Sequence, residues 1–504
     1  MSFVSPLFFL FCLAVFPTYF MLPHRYRWVL LLISSIVFYS VGNGWYVMLL
    51  LTSTLVDYWL AVRIDQSSHP SRRWFYLAIS LILNFGVIFT FKYLDFFNQS
   101  LASLVTRLGY SYQPTYLNWV LPVGISFYTF QEMSYVVDVF RRKIPAEHHL
   151  GRYATYVAFF PQLVAGPIER ASNLLPQFNV PLAFNYQQAS TGLRLILWGF
   201  IKKVVIADRL ALYVNAVYGD VNGYGGWQMI LATFFFAFQI YCDFSGYSDI
   251  AIGLAKIMGF EFMVNFRQPY FAHSLRDFWR RWHISLSTWF RDYVYFPLGG
   301  NRVPFLRGML NLWVVFLLSG LWHGASWTFI IWGAWHGFII TLESVWTRFI
   351  PSAKTQSTWL VYPLGALQVL LTFMATLIGW VFFRAQHVGE AFAILKQSLQ
   401  LAPLSLNELA RPFPADEGVV PLLHTLTAPF HWQFSSTELQ LVLSFVLIAM
   451  LLIYDGLAEY VWQKDGRSFT RIPLVARWAT YYVGVLMVLF LGAWGNQSFI
   501  YFQF

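Results

Sequence analysis

Three histidines, His283, His323 and His336, lie within Arg276–Gly337, a stretch that reads RDFWRRWHISLSTWFRDYVYFPLGGNR, then a short apolar run, then LSGLWHGASWTFIIWGAWHG. The residues around them are tryptophans and apolar runs that belong in or against a lipid bilayer. An imidazole is costly to keep in such surroundings, and it is the side chain able to take up and release a proton near neutral pH. Proton transfer inside a membrane is therefore the chemistry to look for, and the rest of the chain reads as its container.

Composition fixes the class of that container. The 504 residues are 58% hydrophobic, 20% aromatic and 11% charged, with mean hydropathy +0.54. Soluble domains carry about a quarter charged residues, so this is the composition of an integral membrane protein. Cys12 and Cys242 sit in apolar segments and offer neither a disulfide framework nor a CxxC metal site. The first apolar run follows Met1 with no basic flank and no small-residue cleavage site, which reads as a retained helix rather than a signal peptide. The net charge of +10 fits loops facing anionic lipid rather than nucleic acid.

Apolar spans are expected near Leu7–Met21, Trp28–Val41, Trp45–Val62, Trp74–Phe97 and Trp119–Phe140. Basic residues alternate between their connections. Arg25 and Arg27 lie in the first, Arg63, Arg72 and Arg73 in the third, and Arg141, Arg142, Lys143 and Arg152 after the fifth, whereas Gly42–Gly44 has none. Basic loops stay cytoplasmic, so the N-terminus is expected outside. Tyr153–Arg170 is broken by Pro161, Gly166 and Pro167, and reads as a re-entrant element or a surface loop. Leu193–Val217 carries Lys202, Lys203, Asp208 and Arg209, so it belongs along the interface or inside the bundle. Trp227–Met258 is long enough to cross and holds Asp243 and Asp249, and reads as a helix interrupted at Gly246 or as a polar wall of a substrate passage, the interruption being the expectation. Further crossings are expected near Trp327–Val345, Val361–Phe383, Leu439–Val461 and Tyr481–Trp494, with a partly helical excursion between Gln386 and Glu438. The expectation is an all-α integral membrane protein, one polytopic domain over residues 1–504, with about eleven or twelve transmembrane helices plus re-entrant and interfacial helices.

On a helical wheel over Leu275–Tyr293, Arg276, Arg280, His283 and Ser287 form one polar stripe, and Leu275, Phe278, Trp279, Trp282, Leu286 and Trp289 a broad apolar face. Two readings fit: a lipid-anchoring amphipathic helix, or arginines that gather an anionic donor beside a functional His283. His323 is flanked by Ser319, Gly320, Gly324, Ala325 and Ser326, small residues that leave room for something to approach the ring. No His-x3-His or His/carboxylate spacing is present, so no metal site is expected. In one continuous helix His336 would lie about 140° around from His323, so the two need not share a site; His336 reads as structural.

The motifs above, together with LPVGISFYTFQ at Leu121–Gln131, FFPQLVAGPIER at Phe159–Arg170, YCDFSGYSDIAIG at Tyr241–Gly253, GWVFFRA at Gly379–Ala385 and FIYFQF at Phe499–Phe504, closely resemble the membrane-bound O-acyltransferase family. The match is to the branch of the bacterial alginate O-acetylation protein and the D-alanyl transfer protein of teichoic acid synthesis. The resemblance implies a helical bundle enclosing a tunnel, with the catalytic histidine at His323 and a second polar residue at His283. It implies a thioester donor entering from the cytoplasm, most simply acetyl-CoA as substrate with no bound cofactor, and a polysaccharide acceptor outside a bacterial inner membrane. A separate periplasmic or extracellular acyltransferase partner is implied too, and no nucleic acid.

The residues agree with that chemistry. Moving an acyl group from a thioester to a hydroxyl needs a base for the hydroxyl proton and a donor for the developing oxyanion. His323 suits the first task; His283 suits the second or orients the donor. Arg276, Arg280 and Arg281 are the candidate donor-binding residues. No Gly-x-Ser-x-Gly elbow appears, so a serine relay within the chain is not expected. D-alanyl transfer to teichoic acid, a transporter and a scaffold of a polysaccharide export complex remain the competing readings.

Overall fold

The computed structural model describes residues 1–349, 358–414, 435–462, 473–494 and 499–500. Among these residues every regular element is a helix. Among the described residues eight helical stretches are long and apolar enough to cross a membrane, from His24–Gln66 and Pro70–Arg107 to Leu474–Leu491. The chain divides into two compact units. One comprises Met1–Ile196 and Tyr247–Val264, the other Leu197–Gly246 and Asn265–Phe504.

The first unit opens with α1 (Pro6–Met21) and α2 (His24–Asn43). A single turn at Gly44–Tyr46, where Gly44 takes φ +52°, leads into α3 (Val47–Gln66). The expected spans Trp28–Val41 and Trp45–Val62 are thus two helices joined through one tight turn. α4 (Pro70–Ile88) continues through a π-turn into α5 (Leu94–Arg107). The expected span Trp119–Phe140 starts later, as α6 (Ile125–Phe140), because residues up to Gly124 are not helical. Almost all of α6 is buried, Glu132 included. Asp57 on α3 accepts hydrogen bonds from Ser80 (2.5 Å) and Asn84 (2.7 Å) on α4, and Glu132 from Thr54 (2.9 Å) on α3.

α7 (Leu150–Ala158) begins the broken segment, followed by turns and by α8 (Ala171–Leu174). The chain is buried from Tyr153 through Ala171, which excludes a surface loop. Its freed backbone groups find protein partners: Tyr156 Oη donates to the Glu169 carbonyl (3.0 Å) and Ser35 Oγ accepts from Phe160 N (3.0 Å). This is the condition under which irregular backbone survives away from water.

α9 (Tyr186–Phe200) passes through a π-helical turn, Ile201–Ala207, into α10 (Asp208–Gly219). Lys202, Lys203, Asp208 and Arg209 are all buried, so this segment packs inside rather than along the interface. α11 (Gly226–Ile257) is one uninterrupted helix of 32 residues. The expected break at Gly246 does not occur, because the acid beside it needs no freed backbone. Asp243 is neutralised by Lys203 Nζ at 2.5 Å, which also meets Asp208 at 2.8 Å. Its second oxygen accepts from Ile500 N at 2.7 Å. Breaking such a buried pair costs about 3–5 kcal/mol.

The second unit continues with α12 (Leu275–Arg281) and α13 (Ile284–Phe290), then α14 (Phe305–His323), α15 (Trp327–Phe349) and α16 (Thr358–Arg384). α17 (Val388–Gln397) and α18 (Leu406–Ala410) lie in the expected partly helical connection, whose residues 415–434 are outside the described residues. The helices Ser436–Leu457 and Leu474–Leu491 follow.

Candidate active site

α14 and α15 form a tight hairpin whose contact is made by two glycines. A Cβ at Gly320 would lie 2.3 Å from the Phe329 carbonyl oxygen, and one at Gly333 2.3 Å from that of Phe316. Only glycine permits this approach. The small residue at 320 is therefore occupied by helix packing rather than leaving space beside His323. His323 is the last residue of α14 and is buried, with ring centroids 4.9 Å from Trp322, 4.9 Å from Trp332 and 5.3 Å from Phe383.

His336 joins the same cluster. The chain reverses at Gly324–Ser326, so the wheel angle for one continuous helix does not apply. Trp332 and His336 are one turn apart on α15 with ring centroids 4.9 Å apart, which puts both histidines against the Trp332 ring. Trp279 of α12 donates its indole N–H to His336 Nδ1 at 3.4 Å. An indole can only donate, so the neutral ring carries its proton on Nε2. Trp380 and Phe383 of α16 close the cluster, 6.3 and 5.3 Å from Trp332. The Trp332/His336 spacing on one helix was the available sequence signal for this grouping.

His283 is reached differently. The expected continuous helix over Leu275–Tyr293 is broken at Trp282–His283, where His283 adopts φ +43°. Asn265 causes the break: its carbonyl accepts from Ile284 N (2.9 Å), and its Oδ1 from Ser285 N (3.2 Å) and Ser285 Oγ (2.7 Å). These bonds start α13 afresh in place of a preceding turn. Because Oδ1 receives a backbone N–H it is the oxygen, so the His283 Nδ1 contact at 3.3 Å is a donation from the ring. Nε2 is then the basic nitrogen. His283 is fully buried against Phe244 (4.6 Å) and Trp322 (5.9 Å), and burial pushes its imidazole down to about 3. The ring is neutral at ordinary pH. Trp322 thus lies within reach of both His283 and His323.

A cavity of about 580 Å³ lies alongside. Met309, Leu312, Phe316 and Ser319 of α14 line it, a stripe with alternating three- and four-residue steps that ends at His323. Ile340, Ser344 and Thr347 of α15 line it too, continuing the face that carries His336. Arg276, Arg280, Arg291 and Arg348 surround it. Arg276 donates to Ser344 Oγ (2.6 Å), and Glu343 accepts from the backbone N–H groups of Leu275 (2.6 Å) and Arg276 (3.2 Å), which seats α12 on α15. Arg281 points elsewhere, pairing with Asp277 (3.0 Å) and Glu459 (2.9 Å). Arg291 and Arg348, not singled out from the sequence, complete the cationic rim. No cluster of three metal-ligating side chains occurs among the described residues.

A buried histidine cluster in a dry aromatic setting, adjoined through Trp279 and Phe316 by a guanidinium-lined cavity, is equipped for proton transfer next to an anionic ligand. The comparisons with known proteins agree. The model of the membrane-bound O-acyltransferase family matches residues 71–382. The chain belongs to that family. It is an O-acyltransferase. It is 40% identical over 419 residues to the probable alginate O-acetylase of Pseudomonas aeruginosa, covering 82% of this chain and 77% of the relative. The peptidoglycan O-acetyltransferase of Helicobacter pylori is 35% identical over 407 residues, covering 76% and 75%. The teichoic acid D-alanyltransferase of Bacillus subtilis is 26% identical over 288 residues, covering 53% and 69%.

Proposed function

We propose that this O-acyltransferase moves an acetyl group from a cytoplasmic thioester, acetyl-CoA in the simplest case, to hydroxyls of a polysaccharide outside a bacterial inner membrane. The observation that carries the reading is the stripe Met309–Leu312–Phe316–Ser319, which lines an arginine-rimmed cavity and has His323 as the next position on the same helix face. Arg276 and Arg280 receive the donor's phosphates, and the apolar stripe accommodates the acyl-bearing arm. His323 takes the proton of the acceptor hydroxyl as its oxygen bonds to the thioester carbon. The tetrahedral adduct collapses, the C–S bond breaks, and the thiolate leaves with the proton from His323. His283, neutral and with Nε2 as acceptor, orients a polar group of donor or acceptor on the far side of Trp322.

The relatives that act on alginate and peptidoglycan align over more of this chain, at higher identity, than the one that transfers D-alanine. They favour acetyl over D-alanyl transfer. Branch resemblance also favours a separate partner protein outside the membrane. The test is purified protein in liposomes with labelled acetyl-CoA and an acceptor polysaccharide. Label should appear on the polymer, and His323→Ala should abolish it. Turnover only with an aminoacyl carrier protein would assign the D-alanyl reaction instead.

A further inference from the structure

The histidine cluster holds two N–H donors that the reaction above has not used. Trp332 and His336 are fully buried, and neither Trp332 Nε1 nor His336 Nε2 has a hydrogen-bond partner. Both are N–H groups. The indole nitrogen is always a donor, and Trp279 fixes the His336 proton on Nε2 by donating to Nδ1. Native proteins rarely leave a buried donor unpaired, and each such group that persists calls for an explanation.

Their placement supplies one. Both face the same glycine of α16. A Cβ on Gly379 would come within 2.9 Å of His336 Nε2 and 3.5 Å of Trp332 Cδ1, the atom bonded to the indole nitrogen. Glycine at 379 keeps a side chain out of the position beside His336 Nε2 and the adjoining edge of the Trp332 indole. The Trp332 ring also packs against His323, at 4.9 Å. The Trp332 ring thus touches both the proposed base and the other ring that carries an unpartnered donor.

We infer that Trp332 Nε1–H and His336 Nε2–H form the oxyanion hole of the acyl transfer, an inference that rests on the proposed function. When the hydroxyl oxygen bonds to the thioester carbon and gives its proton to His323, the carbonyl π pair moves onto the carbonyl oxygen. Two fixed donors in a water-poor site stabilise that charge most strongly where it develops, in the transition state. When the C–S bond breaks the pair returns, the carbonyl is restored, and the thiolate carries off the proton. His336, a structural residue by its sequence setting, becomes a catalytic one.

The experiment measures acyl transfer by purified protein in liposomes, for wild type and for variants that delete one donor at a time. Trp332→Phe and His336→Phe should each lower kcat by about 10²-fold while KM for the thioester moves by less than about threefold, the signature of a donor used only in the transition state. His336→Gln, which keeps an N–H, should recover part of the loss. Trp335→Phe is the control, since its indole already donates to the Ala375 carbonyl at 2.8 Å; it should behave as wild type. Should Trp332→Phe fail to fold, benzothienylalanine at 332 keeps the ring shape and removes only the N–H. Wild-type kcat in either position-332 variant overturns the inference and leaves the proposed function standing. Absence of transfer by wild type with every thioester tried overturns both.

Discussion

Two buried polar centres in this protein are built to opposite ends. In the first unit, Asp57 has both oxygens filled, by Ser80 at 2.5 Å and Asn84 at 2.7 Å, and Glu132 accepts from Thr54 at 2.9 Å. Side chains of α4 satisfy Asp57 completely, Glu132 keeps one oxygen, Oε2, without a partner, and the bonds tie three helices together. In the second unit, Trp332 and His336 bury N–H groups that no neighbour accepts, in a cluster packed ring against ring. A satisfied polar centre lowers the energy of the resting fold. An unsatisfied one raises it by roughly 1–3 kcal/mol per group, and that cost is returned only when a ligand or transition state arrives. The difference is the one expected between residues that hold a fold together and residues proposed to act.

The largest expected effect tests the acting centre. His323→Ala should reduce acyl transfer by at least about 10²–10⁴-fold, the range for losing a general base. The protein should still enter the membrane at normal levels with an unchanged unfolding temperature. Activity near that of wild type would remove His323 from the reaction and leave the cluster as packing.

The holding centre should answer in the opposite way. Asp57→Ala strands Ser80 and Asn84 without their acceptor, so a stability loss of about 2–3 kcal/mol is expected. Transfer per folded molecule should stay within about twofold of wild type, since nothing in that centre touches the proposed chemistry. Thermal unfolding in detergent and specific activity, read on the same preparation, check both halves. A silent enzyme with wild-type stability would abolish the distinction between the two centres.

A smaller effect sharpens the boundary of the acting centre. Arg276→Ala with Arg280→Ala should raise KM for the thioester about tenfold, the removal of about one charge-assisted contact. Arg281→Ala should leave KM unchanged, because that side chain is engaged by Asp277 and Glu459. Equal effects from all three would assign the arginines to lipid headgroups.

How much of this could be read from the chain depends on how local the cause is. The membrane class and most helices follow from runs of apolar residues, a property of adjacent positions. The break at His283 does not, because Asn265, eighteen residues away in sequence, supplies the groups that start α13. The continuity of α11 through Gly246 depends on Lys203, and that of the histidine cluster on a reversal at Gly324–Ser326. The motif resemblance pointed to His323 and His283, but the partners that define their surroundings are long-range contacts. The closeness of His336 to His323 is hidden when the two helices are treated as one.

The smallest effect concerns two groups that lie outside the spanning helices and shift in opposite directions. Burial pushes the His283 imidazole from 6.5 down to about 3, and burial pushes the Glu169 carboxyl from 4.5 up to about 7 despite hydrogen bonds from Asn173 and Met263. Below pH 6.5 the unfolded chain binds a proton at His283 that the folded chain refuses until about 3. That contribution is fully present above 6.5 and is lost as pH falls, by about 1.4 kcal/mol per pH unit at most. Glu169 acts the other way. The folded chain keeps its proton up to about 7, while the unfolded chain releases it above 4.5, so stability declines as pH rises through that interval. Between pH 4.5 and 6.5 the two slopes have opposite sign and nearly cancel. Unfolding temperatures of wild type should be flat there. His283→Gln should leave stability falling with rising pH, and Glu169→Gln should leave it rising. Parallel profiles in the two variants would mean that these buried groups do not titrate as their surroundings dictate, and that His283 is more open to water than its packing against Phe244 and Trp322 allows.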